Sequence, residues 1–457
     1  MGSPEKTSKA GEQTVVLPAS ISGQDADAND QPDGGGNRDL ERTASTVTLR
    51  NLESTWRGWV CVLGSFLFLV PSFGFMSSLG TVQSYLSTNQ LSEFSTGEVG
   101  WISSVYLFLS LMLNVFVGPI YDVYGPRLLS PLGAVGIVAM FLLMAECNTY
   151  WQFMLCLGVF GAIGSALTMV VAVSSVGKIF VKRRGLAMGI ALTGSSFGSV
   201  IFPIILKYTF PSLGWTWSMR IMALVAVCAM VPGVLCFLPY MRYAPSNSGQ
   251  SRPKGNVLTL RAFRNPAFNL VTAGMFTLEF IIFGTGGLLP TIATGAGFSP
   301  EDAFVLLSII GSASCVGRVV PGIVGDRLGH FNVIMVMMVI TIVFMGTMFV
   351  PFGYSAPVLY AFSALWGFGS GSFLSITPVC VGKTCEAKEY GTYYGTMNLV
   401  VSFSLLLSLP LSGIMLDNMG AQALAGLYIA ILFMAAVCFF AARALLIGKW
   451  LSLKTKI

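Results

Sequence analysis

Charged side chains are scarce in this chain of 457 residues. Asp, Glu, Lys and Arg together make up 10% of it, against roughly 25% in a typical soluble domain. Apolar residues make up 54%, and the mean hydropathy is +0.74. So few charges on so apolar a chain exclude a soluble globular protein, a disordered chain and a protein that binds nucleic acid.

Histidine is nearly absent, because His330 is the one histidine of the sequence. Structural zinc takes four nitrogen or sulfur ligands, and the nine cysteines lie mostly within apolar runs. We therefore predict reduced cysteines that serve packing, with no metal and no cofactor. The apolar runs also lack a His cluster, paired carboxylates and a nucleophile–base pair, so we predict that the chain is not an enzyme.

A polar segment precedes the apolar part. Residues 1–55 hold nine acids and five bases (net −4), which leaves 21 bases and 11 acids (net +10) for the rest. This segment has too few apolar residues to fold and lacks the apolar stretch of a signal peptide. We predict that it is a disordered cytoplasmic tail.

Apolar runs long enough to cross a bilayer follow one another from residue 58 onward. They must be helical, since the bilayer offers no water to backbone groups and the short alternating strands of a barrel are missing. The sequence therefore predicts an all-α membrane protein with twelve transmembrane helices. In chain order, the predicted spans 1 to 12 are 58–84, 98–121, 128–147, 152–176, 185–207, 217–239, 267–293, 302–324, 331–350, 356–379, 391–415 and 421–446.

The longest loop divides these spans into six and six. The predicted units after the N-terminal tail are a six-helix bundle at 56–239, a cytoplasmic linker at 240–265, a second six-helix bundle at 266–447 and a cytoplasmic tail at 448–457. Lys and Arg concentrate in the even-numbered connections, whereas the odd-numbered ones hold only Lys207 and Arg220 beside several acids. The positive-inside rule then places both termini in the cytoplasm. We predict a multi-pass protein of the plasma membrane, with the vacuolar membrane as the alternative.

One motif occurs twice, after span 2 and after span 8, 204 residues apart. Both copies read G-x-x-x-D-x-x-G with basic residues nearby: Gly118, Asp122, Gly125 and Arg127, then Gly322, Asp326, Arg327, Gly329 and His330. Two copies at equivalent places in two halves indicate duplication. A carboxylate at the end of a span accepts hydrogen bonds from a helix N-terminus or an Arg, and such contacts suit a gate. The alternative is that both aspartates only cap tight turns.

The repeated loop resembles the signature of the major facilitator superfamily, complete in the first half and degraded in the second. The resemblance implies two pseudo-symmetric six-helix bundles that alternate access to a central cavity. It also implies that Asp122, and by extension Asp326, helps to hold the outward-facing state. Further stretches resemble the monocarboxylate porters, most closely their fungal branch: Trp56 to Trp59, Trp101 to Ser104, Arg184 to Gly198, Phe202 with Pro203, and Gly317 to Gly322.

Two positions depart from the animal monocarboxylate carriers. Those carriers have a Lys in span 1 where this chain has Ser77, and an Asp four residues before the span 8 Arg where it has Ser314. The proton and lactate machinery of those carriers is therefore incomplete in this chain, which argues against lactate as the substrate.

Two ionisable residues lie deep within predicted spans. Glu279 is in the middle of span 7, and Arg318 is eight residues, roughly 12 Å, from Asp326. Because each costs at least ~2.5–3.5 kcal/mol at the bilayer centre, we expect both inside the bundle. Arg318 suits an anionic substrate and Glu279 a proton; alternatively they pair with each other, or serve structure alone.

Other residues in the spans are weaker candidates, with helix packing as the alternative. The polar ones are Asn114, Asn398 and Tyr394, and the aromatic ones are Phe73, Phe283, Trp366 and Phe373. The stretch from Gly284 to Pro290 is expected to interrupt span 7, because glycine and proline disfavour a continuous helix.

Together these features predict a secondary active transporter that moves a small organic anion or a fungal metabolite by alternating access. Its partners would be that solute, the lipid bilayer and, as an open option, protons; we expect a monomer. The alternative is a nutrient sensor of the same fold that does not transport.

Overall fold

The computed structural model describes residues 53–76, 78–243, 260–298, 300–353 and 355–448. These residues form helices joined by short turns, and no strand occurs among them. Residues 1–52 of the predicted tail, residues 244–259 of the linker, Ser77 and the C-terminal 449–457 lie outside the described residues. The boundaries of the tails and the linker therefore stay predictions.

Ten helices in the described ranges are long and apolar enough to cross a membrane. Two of these helices each consist of two consecutive spans, and the break between the spans lies at Gly214 (φ 71°) in one and at Gly420 (φ 82°) in the other. A positive φ of this size favours glycine, which has no Cβ to clash. Dividing both helices at these glycines gives twelve spans and confirms the predicted fold class.

The observed spans lie close to the predicted ones, and several extend further at one or both ends. They are Trp56–Met76, Glu98–Tyr124, Pro126–Glu146, Tyr150–Ile179, 184–213, 215–243, Pro266–Gly295, Val305–Leu328, His330–Phe349, Ala356–Val381, 390–419 and 421–447.

Two local expectations were wrong. Span 1 does not continue to residue 84: it turns at 70–72 around Pro71, and a separate helix, Leu79–Thr88, follows. Span 7 is not interrupted either, but is one helix, Pro266–Gly295, which contains Pro290. Gly284 packs closely against span 12 at Tyr428, which shows how tertiary contact overrides weak helix propensity.

Small side chains bring the spans of each half together. Gly136 of span 3 and Gly164 of span 4 face each other so closely that a Cβ on either would lie about 3.0–3.1 Å from the other's backbone. In the second half, Ser404 and Ser408 of span 11 donate 2.6 Å hydrogen bonds to carbonyls of span 7. Close approach and interhelical hydrogen bonds replace the hydrophobic drive that lipid cannot supply.

The two six-helix halves meet along two seams. Span 5 of the first half packs on span 8 of the second, and span 2 packs on span 11. Each seam pairs a span that carries the repeated motif at its end with a span of the opposite half. Both seams thus position the candidate residues.

Candidate functional site

Asp122, at the end of span 2, binds the beginning of span 11. The backbone N–H groups of Gly391 and Thr392 donate to its carboxylate at 3.0 and 2.6 Å, and the Thr392 hydroxyl donates at 2.7 Å. Lys178, from the end of span 4, adds an ion pair at 2.8 Å. The first N–H groups of a helix have no partner within it and carry partial positive charge, so they suit a carboxylate.

Asp326, at the end of span 8, makes the equivalent contact with span 5. The N–H groups of Gly185 and Leu186 donate to its two oxygens at 2.8 and 2.9 Å. The His330 ring, at the start of span 9, lies 3.0 Å from the same carboxylate. We call this contact and the one at Asp122 the two clamps; each joins one half to the other.

The clamps are related by the duplication. The aspartates are 204 residues apart, and the glycines whose N–H groups they bind, Gly185 and Gly391, are 206 apart. Each motif's first glycine abuts the helix that its clamp binds: a Cβ on Gly118 would overlap the carbonyl of Gly391, and one on Gly322 that of Gly185. These positions require glycine because two backbones touch there.

The other motif residues take different places. Gly125 and Gly329 turn the chain with φ of 65° and 96°. Arg127 and Arg327 have exposed side chains and form none of the ion pairs found among the described residues. The cations at the carboxylates are instead Lys178 and, when protonated, His330.

Sequence reasoning missed Lys178 and Arg184 as parts of the gate region, since both read simply as loop charges. Arg184 is buried at the start of span 5, where it donates to carbonyls of Phe180 and Gly177 at 2.7 and 2.6 Å. Its guanidinium also lies 5.8 Å from the ring of Tyr390, at the start of span 11. Arg184 and Tyr390 are far apart in the sequence, and no sequence pattern indicates that they meet between the two halves.

Arg318 lies in the middle of the seam between spans 8 and 5. Its side chain is 6% exposed, and its Nη1 donates to the carbonyl of Leu192 and the hydroxyl of Ser195. Its Nε has no hydrogen-bond partner among the described residues. The guanidinium therefore bridges the two halves, and its Nε–H is left as a donor for a ligand.

Glu279 lies on the wall of the same small cavity. It is 4% exposed, and its Oε2 has no partner in the described part of the chain. Within those residues the Glu279 and Arg318 side chains form no ion pair of 4 Å or less. The two predicted residues thus share one cavity without the direct pair that we considered.

Tyr394 and Asn398 of span 11 complete the polar part of the wall, and the Asn398 amide nitrogen also lacks a partner there. Asn114 is not on the wall; its amide nitrogen is 3.8 Å from the sulfur of Met169, which is. Of the aromatic candidates, Phe73 lines the cavity, whereas Phe283, Trp366 and Phe373 do not. The rest of the wall is mostly Leu and Met.

The cavity is narrow. The volume open to the centre of a water molecule is about 20 Å³, which suffices for about one water. Pockets for small organic ligands typically have about 300–1,000 Å³. An organic solute therefore requires the two halves to separate around Arg318 and Glu279.

The family model described as Major Facilitator Superfamily matches residues 61–404 and 313–449. The chain belongs to this superfamily. It is 31% identical to the riboflavin transporter MCH5 of Saccharomyces cerevisiae, over 87% of this chain and 80% of that protein. It is 32% identical to the aspyridones efflux protein apdF of Emericella nidulans, over 80% and 73% of the two chains. These relatives are fungal transporters, as the resemblance predicted, and the chain is a membrane transporter.

Solved structures show the same fold. The human organic anion transporter MFSD10 superposes with a TM-score of 0.61 at 16% identity, over 87% of this chain and 99% of that one. A bacterial homologue of ferroportin superposes with a TM-score of 0.65 at 14% identity, over 85% and 99%. At these identities the likeness concerns the fold alone.

Proposed function

We propose that this transporter moves a small organic anion by alternating access, with Arg318 as the anchor of the anion. One observation carries the proposal: a buried guanidinium and a buried carboxylate line one cavity between the halves, and each has a polar atom with no partner in the part of the chain that the structure describes. Because burying an unpaired charge is costly, such a pair is expected where a ligand completes it.

Arg318 suits an anion for geometric reasons. A guanidinium offers five donors in a planar fork that matches a carboxylate or a similar anion in two parallel hydrogen bonds. In the closed cavity the fork contacts span 5 through Leu192 and Ser195. When the halves separate, these donors lose their acceptors and a substrate anion replaces them.

Glu279 supplies the proposed coupling. Its carboxylate faces a wall made mainly of apolar side chains, where charge is costly without a partner. In one state of the cycle the carboxylate would bind a proton from one side of the membrane, and in the other state it would release that proton to the other side. A flux driven by a pH gradient follows from this arrangement.

The relatives support the size and type of solute. One is named for riboflavin and another for the efflux of aspyridones, and we propose an organic metabolite of comparable type for this chain. Phe73 and the Leu and Met side chains of the wall suit its apolar part. This arrangement favours a solute that carries an anionic group on an apolar body.

The two clamps serve as the gate in this proposal. The loop charges support a cytoplasmic location of both termini, and with them of both clamps. Asp122 and Asp326 would then hold that side closed and release it when the cavity opens inward. We place the protein in the plasma membrane, with the vacuolar membrane as the alternative, and propose that it acts as a monomer.

Uptake into proteoliposomes tests the proposal. The purified full-length chain is assayed in both directions with labelled riboflavin and a panel of labelled small carboxylates, with and without a pH gradient. We expect saturable flux that Arg318→Gln lowers at least 100-fold and Arg318→Lys about tenfold, because lysine keeps the charge and loses the fork. The matched control is Arg220→Gln, since Arg220 is exposed and pairs with Glu146.

Two results would count against it. Flux that survives Arg318→Gln would remove the anchor, and a wild-type chain that is folded yet moves no solute of the panel would favour the sensor.

A further inference from the structure

An open groove of about 380 Å³ lies between the ends of spans 3 and 4, away from the central cavity. Its lining includes Glu146, Cys147, Trp151, Gln152 and Cys156. Span 4 is 30 residues long, about 45 Å, and Lys178 of a clamp lies at its other end. The groove and the clamps are therefore at opposite ends of span 4.

Two free thiols lie against the same stretch of span 3 in this groove. The Cys147 thiol donates to the carbonyl of Leu143 at 3.2 Å, and the Cys156 thiol donates to the carbonyl of Met140 at 3.4 Å. The two acceptor carbonyls are three residues apart on one helix, so they lie on neighbouring turns of the same face. This places both sulfur atoms on one side of span 3.

The local backbone fixes both cysteines. Cys147 is followed by a firmly bonded turn, in which the Gln152 side-chain oxygen accepts from the N–H groups of Asn148 and Thr149 at 2.9 and 3.1 Å. Cys156 lies in a π-helical segment, Met154–Gly161. Such wide turns occur often at functional positions, because they re-aim a side chain that a regular helix would point elsewhere.

The two thiols also interact electrically. When Cys147 is ionised, the Cys156 thiol can donate to its sulfur instead of to Met140, which lowers the pKa of the Cys147 thiol, although burial and the nearby Glu146 carboxylate both act to raise it. Cys385, which also lies outside the spans, shows the opposite: burial raises its pKa to about 12. The Cys147 thiol is therefore more reactive than the Cys385 thiol, since the thiolate is the nucleophile.

We propose that Cys147 and Cys156 form an oxidisable dithiol, which a peroxide converts to a disulfide that braces span 3 to span 4. The Cys147 thiolate attacks a peroxide oxygen, which breaks the O–O bond and gives a sulfenic acid and, after protonation, water. The Cys156 sulfur then attacks the sulfenic sulfur, forms the S–S bond and releases a second water. In balance, two thiols and hydrogen peroxide give one disulfide and two waters.

The setting of the groove favours this chemistry. With the clamps on the cytoplasmic side, as proposed above, the groove faces the opposite side of the membrane. Disulfides persist on that side, whereas the cytoplasm keeps thiols reduced. The oxidation itself does not depend on that orientation or on the proposed substrate. A test in detergent therefore separates the dithiol from the transport proposal.

The experiment treats the purified full-length chain with hydrogen peroxide in native detergent, then alkylates, digests with chymotrypsin and maps peptides without reduction. Chymotrypsin cleaves between the two cysteines at Trp151 and Phe153, so a disulfide joins two peptides whose mass is lower by two hydrogen atoms. We expect this linked pair in the native chain, its loss after dithiothreitol, and two fewer alkylated thiols. Cys228→Ser, at an exposed cysteine of span 6, is the matched control and should keep the link.

Single variants assign the roles. Cys156→Ser should leave a sulfenic acid on Cys147 that dimedone traps, and Cys147→Ser should show neither link nor trapped acid. A native wild-type chain that yields no linked pair at peroxide levels that oxidise exposed methionines would overturn the proposal, and this holds even if a variant fails to fold. Dimedone labelling of Cys156 rather than Cys147 would overturn the assigned order of attack.

Discussion

Asn114 and Arg318 occupy equivalent places in the two halves, 204 residues apart. The carbonyl of Asn114 abuts Gly395 of span 11, and the carbonyl of Arg318 abuts Gly189 of span 5, so closely in both cases that no Cβ would fit. The two glycines are 206 residues apart. The backbone seams are therefore symmetric, whereas the side chains at their centres differ: the first half has a neutral amide where the second half has the guanidinium that lines the cavity.

Cys385 reports on the Asp122 clamp through its alkylation rate at different pH values. Because burial raises its pKa to about 12, the thiolate fraction is small at neutral pH. Alkylation of the wild type should then rise about tenfold per pH unit from 7 to beyond 9.5. Asp122→Asn should open this end and also remove a negative charge that helps to raise the pKa of Cys385. Labelling at pH 7.5 should then be about tenfold faster or more, and the rate should level off near the ordinary thiol pKa of about 8.5.

The size of this effect follows from the lost charge. Hydrogen bonds to a charged group contribute roughly 1.5–3 kcal/mol, which corresponds to about 10–100-fold in an opening equilibrium. The Cys385 peptide is quantified by mass spectrometry after N-ethylmaleimide, and Asp417→Asn, at an exposed carboxylate of span 11, is the control. Equal labelling of Asp122→Asn and wild type at every pH would show that Asp122 holds nothing closed.

The first glycines of the two motifs offer a steric test of the same closure. Alanine at Gly118 or Gly322 places a Cβ on the backbone of the opposite half, and overpacking of this kind typically costs about 1–3 kcal/mol. We expect both variants to speed Cys385 labelling, and Gly413→Ala not to, because a Cβ there meets no atom within 4 Å. A Gly118→Ala chain that labels like the control would mean that the seam adjusts without opening.

The spans could be predicted from the sequence because each is an uninterrupted apolar run, and length in a bilayer is a physical requirement. The breaks at Gly214 and Gly420 fell between predicted spans for the same reason. The duplicated motif also led to Asp122 and Asp326. Their partners could not be found this way, because Asp122 binds an N–H group 269 residues away, and hydropathy contains no information about which helices adjoin.

The cavity was partly predictable. The cost of a charge in lipid placed Glu279 and Arg318 inside the bundle, and both line the cavity. Their mutual distance and the contact of Arg318 with Ser195 depend on the rotation of each helix, which nearly uniform apolar composition does not determine. Arg127 and Arg327 were natural choices for the gate, but charge alone did not show that Lys178 reaches Asp122 from another span.

Glu279→Gln tests proton coupling apart from binding. Glutamine keeps the size of the side chain and removes its proton exchange, so we expect accumulation driven by a pH gradient to fall at least tenfold. Exchange of labelled for unlabelled solute at equal pH should change less than about threefold, because it needs no net proton movement. Both rates are measured in proteoliposomes beside Glu146→Gln, at an exposed carboxylate; equal loss of both rates would assign Glu279 to binding instead.

A substitution at Asn114 should affect stability and transport differently. Its side chain is fully buried and its oxygen has no hydrogen-bond partner among the described residues, so the folded state bears a desolvation cost of about 1–3 kcal/mol. Asn114→Leu removes that cost at similar volume and should leave the melting temperature in detergent unchanged or raise it by a few degrees. Transport should nevertheless weaken, since Asn114 touches Met169 on the cavity wall. Asn418→Leu, at an exposed position of span 11, is the control; a large fall in melting temperature for Asn114→Leu would instead identify the amide as a structural residue with a partner in another state of the cycle.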